Sequence, residues 1–155
     1  MNFSEIKHKP RRTSYKKPEA VKELERIADA FARRKYPNTP DYAFAHRKFR
    51  DDSANGLTAC ITAYLRIKGA FVSRLNNTGI YDKRLMRYRP GTSRKGLPDV
   101  VCTYKSKSIF IEIKHAADRL SEFQKKVRDE QTRSGGLWFT ARNFTETKEW
   151  IDNLN

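Results

Sequence analysis

Apolar residues follow the 3.6-residue period of one helix face in two long stretches of the first half of the chain. The first stretch, residues 18–35, opens at Pro18, where a proline fits the first turn of a helix, and ends in a basic run that suits a helix C-terminus. The second covers residues 53–69. Both patterns predict amphipathic helices. Their apolar faces consist of Val21, Leu24, Ile27, Ala28 and Phe31 in the first and of Leu57, Cys60, Ile61, Tyr64 and Leu65 in the second.

Three further helical segments are predicted along the chain. A short, basic helical piece is expected over residues 42–50, between the first two helices. The pair Gly135-Gly136 marks the end of a helix over residues 119–134. A closing helix is expected over residues 144–154, with Trp150 and Ile151 docked on the rest of the protein.

Short apolar runs bounded by turn residues predict four β-strands. They cover residues 71–75, a run that follows Gly96 and ends at Tyr104, residues 109–114 and residues 137–140. Residues 76–79 are expected to form a polar turn, and the basic stretch from there to Lys95 to be irregular. Three consecutive strands are thus followed by a strand–helix–strand crossover. This order predicts an α/β fold with a mixed central sheet flanked by helices.

The charge of the chain says more about its function than its length does. The chain has 155 residues, the size of one domain, with 33 Lys and Arg against 18 Asp and Glu and a net charge of +15. Such an excess indicates a polyanionic partner, with nucleic acid as the first candidate and an anionic membrane surface as the second. No apolar run is long enough for a transmembrane helix, and no signal peptide is recognisable, so we expect a cytoplasmic protein that does not enter the membrane.

Composition also divides the chain. Residues 1–17 are rich in Lys, Arg and Pro and are expected to form a disordered basic arm. Residues 18–52 are expected to form a basic helical extension, and residues 53–155 the main domain. Cys60 and Cys102 lie within apolar patterns and have no zinc-ligand spacing with a histidine, which argues against a structural zinc site.

Two of the predicted strands, which are otherwise apolar, carry charged side chains. Asp99 begins one strand, while Glu112 and Lys114 lie one residue apart in the next. Because strand side chains alternate between faces, Glu112 and Lys114 project the same way. Two carboxylates fit a divalent metal such as Mg²⁺, and a lysine beside them can orient an attacking water. The combination indicates chemistry on phosphodiesters.

Each of these residues also has an ordinary structural interpretation. Pro-Asp is typical of a turn, and Glu-x-Lys is typical of an ion pair on a solvated strand face. Gln124 follows Ser121 at the spacing of a helix capping box, or it faces the metal site from the helix that packs on the sheet. The sequence leaves these alternatives open, although it is the combination within one hairpin that favours a site.

The motifs together resemble a known nuclease family. The residues that carry the resemblance are the run Lys-Gly-Leu-Pro-Asp that ends at Asp99, the Glu-Ile-Lys at Glu112 and the Ser-x-x-Gln that ends at Gln124. They resemble the virus-type replication-repair nuclease group (VRR-NUC) of the PD-(D/E)xK superfamily, which is related to Holliday-junction resolvases. The resemblance covers roughly residue 53 to the end. It implies a restriction-endonuclease-like core of order α-β-β-β-α-β.

The resemblance implies a role for each matching position. Asp99 and Glu112, together with the backbone carbonyl of Ile113, would bind Mg²⁺ or Mn²⁺, Lys114 would position the water, and Gln124 would act beside them. Many members carry a glutamate on the first core helix. Here the corresponding residue is Asn55, which could ligate only through its amide oxygen.

The expected partner is DNA, duplex or branched. Nucleic-acid contacts are expected from the arm, from the basic stretch and from the loop before Asp99, namely at Arg11, Arg12, Lys16, Lys17, Asn76, Arg87, Arg89, Arg94, Lys95 and Gly96.

The sequence thus favours a metal-dependent DNA endonuclease, acting on branched or replication intermediates in a phage or mobile-element context. Symmetric cutting of a four-way junction would further imply a homodimer. A nuclease-fold DNA-binding protein with weakened or lost catalysis is the alternative that Asn55 motivates. A basic scaffold that binds a protein partner ranks last, because it leaves the paired strand charges unexplained.

Overall fold

The computed structural model describes residues 14–75, 79–89 and 94–155. The helices are Glu19–Lys35 (α1), Ala54–Ile67 (α2), Glu122–Arg133 (α3) and Phe144–Asp152 (α4), with one 3₁₀ turn at Asp41–Ala43. The strands are Phe71–Arg74 (β1), Ile80–Asp82 (β2), Arg87–Arg89 (β3), Val100–Tyr104 (β4), Lys107–Ile113 (β5) and Leu137–Ala141 (β6). Within these residues, no helix has both the length and the apolarity to cross a membrane.

A four-stranded mixed sheet forms the centre of the protein, in the order β1-β4-β5-β6. The pairs β1–β4 and β4–β5 are antiparallel, whereas β5 and β6 are parallel and are joined through α3. A parallel pair needs a crossover of this kind, because a tight turn reverses the chain direction. The mixed α/β fold with helices flanking the sheet, which the sequence predicts, is confirmed.

The register between β4 and β5 is fixed by a tight turn. Tyr104 pairs with Lys107, and the two residues between them, Lys105 and Ser106, have φ values of 49° and 62°. Two-residue turns with positive φ match the twist of a hairpin. Val100 consequently pairs with Ile111, and the chain immediately before β4 passes beside the end of β5.

Opposite faces of β5 meet different helices. Ile109 and Ile111 are fully buried in a core that also contains residues of α1, α2 and α4. On the other face, α3 contacts the strand by hydrogen bonds from Gln124 to Glu112 and from Gln131 to Ser108. The position of α3 over this face determines the surroundings of Glu112.

The helix expected to form an extension belongs to the same core. Val21 and Leu24 of α1 are fully buried together with Leu57 and Ile61 of α2. Residues 18–52 and 53–155 therefore share one hydrophobic core, and α1 covers the faces of α2 and α4.

The predicted helical piece over residues 42–50 is wrong beyond the single 3₁₀ turn. Carboxylates of α1 instead accept backbone N–H groups of this segment. Asp29 accepts the backbone N–H of Arg47 at 2.8 Å, and Glu25 accepts that of Phe49 at 2.7 Å. Alternate N–H groups donate to acidic side chains, so the i to i−4 hydrogen bonds of a helix are not made.

The basic stretch expected to be irregular contains a β-hairpin. β2 and β3 pair antiparallel, with Tyr81 opposite Tyr88 and Asp82 opposite Arg87. The Asp82 carboxylate accepts the N–H groups of Arg84 and Leu85, at 3.0 and 3.2 Å. This local side-chain contact fixes the turn, which a reading based on charge alone does not reveal.

Candidate functional site

Glu112 is a buried carboxylate with one oxygen held and one oxygen unpartnered. The residue is 3% exposed on β5. Its Oε1 accepts from Lys114 Nζ at 3.0 Å and from Gln124 Nε2 at 2.5 Å. Its Oε2 is buried and has no hydrogen-bond partner. The ion pair between Glu112 and Lys114 is therefore present, but it is covered by α3 instead of lying on a solvated face.

Asp99 joins three strands at the edge where β4 begins. Its Oδ2 accepts the backbone N–H of Ile113 on β5 at 2.9 Å. Its backbone carbonyl accepts the N–H of Leu75, which directly follows β1, at 2.8 Å. In a continuing β-ladder a backbone carbonyl would accept this N–H, and here the Asp99 carboxylate accepts it instead. The contact fixes the carboxylate beside Glu112.

Electrostatics at Glu112 disfavour its negative charge. Burial raises the pKa of Glu112, and the negative charge of Asp99 raises it further, while Lys114 and Gln124 act in the opposite direction. The net effect is a pKa above the ordinary range of a glutamate. Two neighbouring carboxylates with an uncompensated oxygen form an environment that a bound cation would stabilise.

Gln124 forms the capping box and also contacts Glu112 across the helix–sheet interface. Its side-chain oxygen accepts the Ser121 N–H at 2.9 Å, and its backbone N–H donates to Ser121 Oγ at 3.3 Å, which is a complete capping box. Its amide nitrogen at the same time donates to Glu112. One side chain therefore fixes the start of α3 and one oxygen of the candidate site.

The Ile113 carbonyl lies on the Asp99 side of β5. Lys114 donates its N–H to Ala141 on β6, and Ile113 donates its N–H in the opposite direction, to Asp99. The N–H and C=O of one strand residue point to the same side. The carbonyl that the resemblance implies as a metal ligand is therefore directed toward the same edge as the Asp99 carboxylate.

The loop before Asp99 packs on α3. Gly96 has φ +87°, and a Cβ at this position would lie 2.4 Å from the backbone of Phe123. Lys95 Nζ lies 5.5 Å from the Phe123 ring centroid, and Arg94 Nη2 pairs with Glu130 at 2.6 Å. These three residues, expected at a nucleic-acid contact, fix the loop against the helix, while the Arg94 and Lys95 side chains stay on the surface.

Asn55 makes a different contact from the one that a metal ligand requires. Arg74 Nη2 donates to its amide oxygen at 2.8 Å, at an exposed position. Among the described residues, no group of three or more His, Cys, Asp or Glu side chains is placed to hold a metal ion. A metal here would depend on the carboxylates of Asp99 and Glu112, with the Ile113 carbonyl and water completing its coordination.

That donor set fits a hard divalent cation. Mg²⁺ is commonly held by one or two carboxylates and keeps several water ligands. The unpartnered, buried Oε2 of Glu112 is the structural observation in favour of it, because such an oxygen ordinarily finds a donor or a cation.

The other residues expected at nucleic acid are dispersed. Lys17 pairs with Glu25 on α1 at 2.6 Å, while Lys16 is exposed. Arg87 is exposed on β3. Arg89 ends β3, but its side chain is outside the description, and Arg11, Arg12 and Asn76 fall outside the described residues altogether.

Comparison with known proteins adds no evidence on the family or the function of the chain. No protein-family model, curated protein sequence or solved structure matches the chain. The resemblance to VRR-NUC therefore stays a prediction that rests on the motif positions and on the arrangement of Asp99, Glu112, Lys114 and Gln124.

Proposed function

We propose that the protein is a metal-dependent DNA endonuclease with a restriction-endonuclease-like core. The observation that carries the proposal is Glu112, which is buried beside Asp99 with one carboxylate oxygen held by Lys114 and Gln124 and the other without a partner. Burying a carboxylate in this way costs free energy and is typical of functional sites. The net charge of +15 supports DNA as the partner.

Asp99, Glu112 and the Ile113 carbonyl would hold Mg²⁺ or Mn²⁺. The metal would supply stabilisation of negative charge at the scissile phosphate and a more acidic water. Asp99 is suited to the role because its Oδ2 contact with the Ile113 N–H fixes the side chain. Gln124 fixes the orientation of Glu112 in the same way.

Lys114 would bind a phosphate oxygen or orient the attacking water. Its side chain is 13% exposed, and its ammonium lies 3.0 Å from Glu112 Oε1. A cation held in this partly buried position interacts more strongly with a developing negative charge than a solvated lysine does.

The test is incubation of the protein with supercoiled, linear, flap and four-way-junction DNA in Mg²⁺ or Mn²⁺. We expect wild-type cutting that EDTA abolishes, and a loss of at least about a hundredfold in Asp99→Asn and in Glu112→Gln. Asp129→Asn, which removes an exposed charge from α3, is the matched control. Cutting by either site variant at the wild-type rate would contradict the proposal.

A DNA-binding protein with weakened catalysis is the second candidate, and the contact between Asn55 and Arg74 favours it. α2 then contributes no carboxylate, so the affinity for metal depends on Asp99 and Glu112 alone. On this account the wild type binds DNA and leaves every form intact. Asn55→Glu, which introduces a carboxylate on α2, would produce cutting or accelerate it.

A further inference from the structure

The β2–β3 hairpin presents apolar and aromatic side chains to solvent. Tyr88 is 71% exposed, Met86 78%, Tyr81 44% and Leu85 41%. The two strands form a sheet of their own, separate from the central sheet. An isolated two-stranded hairpin is only marginally stable in water, so a projection of this kind is typical of a surface that binds a partner.

The hairpin is built to hold one tyrosine ring in place. The rings of Tyr81 and Tyr88 meet edge to face, with centroids 5.2 Å apart and an interplanar angle of 62°. The Tyr81 hydroxyl also lies 3.9 Å from the Met86 sulfur. Tyr81 is thus supported from two sides, and it in turn supports the more exposed ring of Tyr88.

Charge identifies the class of partner. Lys83, Arg84 and Arg87 are exposed on the hairpin, and its acidic residue, Asp82, accepts hydrogen bonds from the turn amides. Cationic side chains beside exposed aromatic rings are the combination that binds single-stranded or unstacked nucleic acid: phosphates contact the cations, and bases stack on the rings.

Chain connectivity keeps the hairpin close to the candidate site. Leu75 donates its N–H to the carbonyl of Asp99, and β2 begins at Ile80. Four residues separate these positions, so the Cα atoms of Leu75 and Ile80 lie at most about 17 Å apart. The base of the hairpin therefore lies within about 17 Å of Leu75, the residue bonded to Asp99, and this distance corresponds to about five nucleotides at 3.4 Å each.

We infer that this hairpin stacks on unpaired bases at a branch or strand end and so directs cutting to DNA that contains them. The inference rests on the proposed nuclease function and adds the substrate class: DNA with unstacked bases next to the scissile phosphate. Tyr88 is the stacking platform, and Lys83 and Arg87 contribute contacts to phosphate that do not depend on DNA structure.

The experiment measures binding in EDTA, so that it does not depend on cutting. The probes are a fork carrying 2-aminopurine at its branch and a blunt duplex of the same length. We expect Tyr88→Leu to weaken binding to the fork by about fivefold or more, with binding to the duplex changed by less than about twofold. Tyr88→Phe keeps the ring and should retain the affinity. Tyr42→Leu, at a tyrosine that is 93% exposed on the 3₁₀ turn, is the matched control.

Two further readouts keep stacking distinct from charge and from folding. The fluorescence of 2-aminopurine should change on binding of the wild type and Tyr88→Phe but not of Tyr88→Leu, whereas Lys83→Gln should weaken binding to both DNAs alike. Equal loss on fork and duplex in Tyr88→Leu, or an unchanged affinity for the fork, overturns the inference. If Tyr88→Leu loses binding to vesicles of anionic phospholipid while its binding to DNA stays intact, the inference is overturned in favour of a membrane surface. Wild-type protein that binds the fork in this way but cuts no DNA would contradict the proposed function alone.

Discussion

Gln124 connects the first turn of α3 to Glu112 on β5. Its amide nitrogen donates to Glu112 Oε1 at 2.5 Å, and its amide oxygen accepts the N–H of Ser121 at 2.9 Å. The two ends of one amide group therefore serve the helix cap and the candidate site. A change at this residue should affect the stability of the protein and its chemistry together.

Gln124→Ala should lower the free energy of unfolding by about 1–2 kcal/mol, because it removes half of a capping box and a donor to a buried carboxylate. For a chain of this size, that corresponds to a fall in Tm of about 2–8 °C. Thermal unfolding followed by circular dichroism checks it. Gln131→Ala is the control: it removes contacts from the same helix to Ser108 and should leave DNA cutting unchanged. Equal effects of both variants on cutting would show that Gln124 has no special role.

Glu112→Gln should make the protein more stable at neutral pH. Because the pKa of Glu112 is raised in the folded state, the folded protein binds more protons than the unfolded chain just above the ordinary glutamate range. Wild-type stability therefore falls as the pH rises through that interval, and the glutamine variant does not share the fall. We expect the advantage of the variant to disappear as the pH drops below the ordinary glutamate pKa. Urea unfolding at several pH values measures this, and a less stable variant at pH 7 would contradict it.

Divalent metal should stabilise the wild type through the same carboxylate. At a metal concentration of a hundred times Kd, binding to the folded state adds about 2.7 kcal/mol. Mg²⁺ or Mn²⁺ should therefore raise the Tm of the wild type by several degrees and leave Glu112→Gln and Asp99→Asn almost unchanged. Asp129→Asn should respond like the wild type. The measurement is independent of DNA cutting, so it also tests the metal site of a weakened enzyme.

Gly96→Ala should be far more damaging than Gly69→Ala. Both glycines have positive φ, +87° and +85°, so each substitution incurs backbone strain of about 1–2 kcal/mol. A Cβ at Gly96 also meets the Phe123 backbone at 2.4 Å, whereas nothing lies within 4 Å of a Cβ at Gly69. The difference in Tm between the two variants measures how closely the loop approaches α3. Similar values would mean that the loop can move away freely.

Removal of residues 1–13 should flatten the salt dependence of DNA binding. This deletion retains Tyr15, whose hydroxyl donates to Asp51 at 2.7 Å, so this contact is kept. Each phosphate contact that is lost changes the slope of log K against log salt by about 0.9. Fluorescence anisotropy on duplex DNA over a range of salt concentrations gives the slope. An unchanged slope would show that Arg11 and Arg12 do not contact DNA.

The sequence predicted the structural features that depend on residues close together in the chain. Periodic apolar positions located α1 and α2, and Gly-Gly marked the end of α3, because burial and backbone freedom act over a few residues. Alternation along β5 correctly placed Glu112 and Lys114 on one face.

Contacts between distant residues were not predictable in the same way. Residues 44–50 are not helical, because Asp29 and Glu25 accept N–H groups of this segment, and no pattern within the segment contains that information. The sequence likewise did not reveal that Phe123 and Glu130 hold the loop before Asp99. Arg94 and its partner Glu130, for example, lie 36 positions apart in the chain. The burial of Glu112 depends on α3 and was also hidden from the sequence.

Asp99 gives the site an observable signal that requires no substrate. Its carboxylate is the acceptor of the Ile113 amide proton, at an edge where the regular ladder has ended. Any ligand that draws electron density from this carboxylate alters the environment of one backbone proton. The Ile113 amide resonance thus becomes a reporter in a two-dimensional NMR spectrum, with the amide of Leu75, bonded to the Asp99 carbonyl, as its internal reference. Occupancy of the site can in this way be followed without DNA and without turnover.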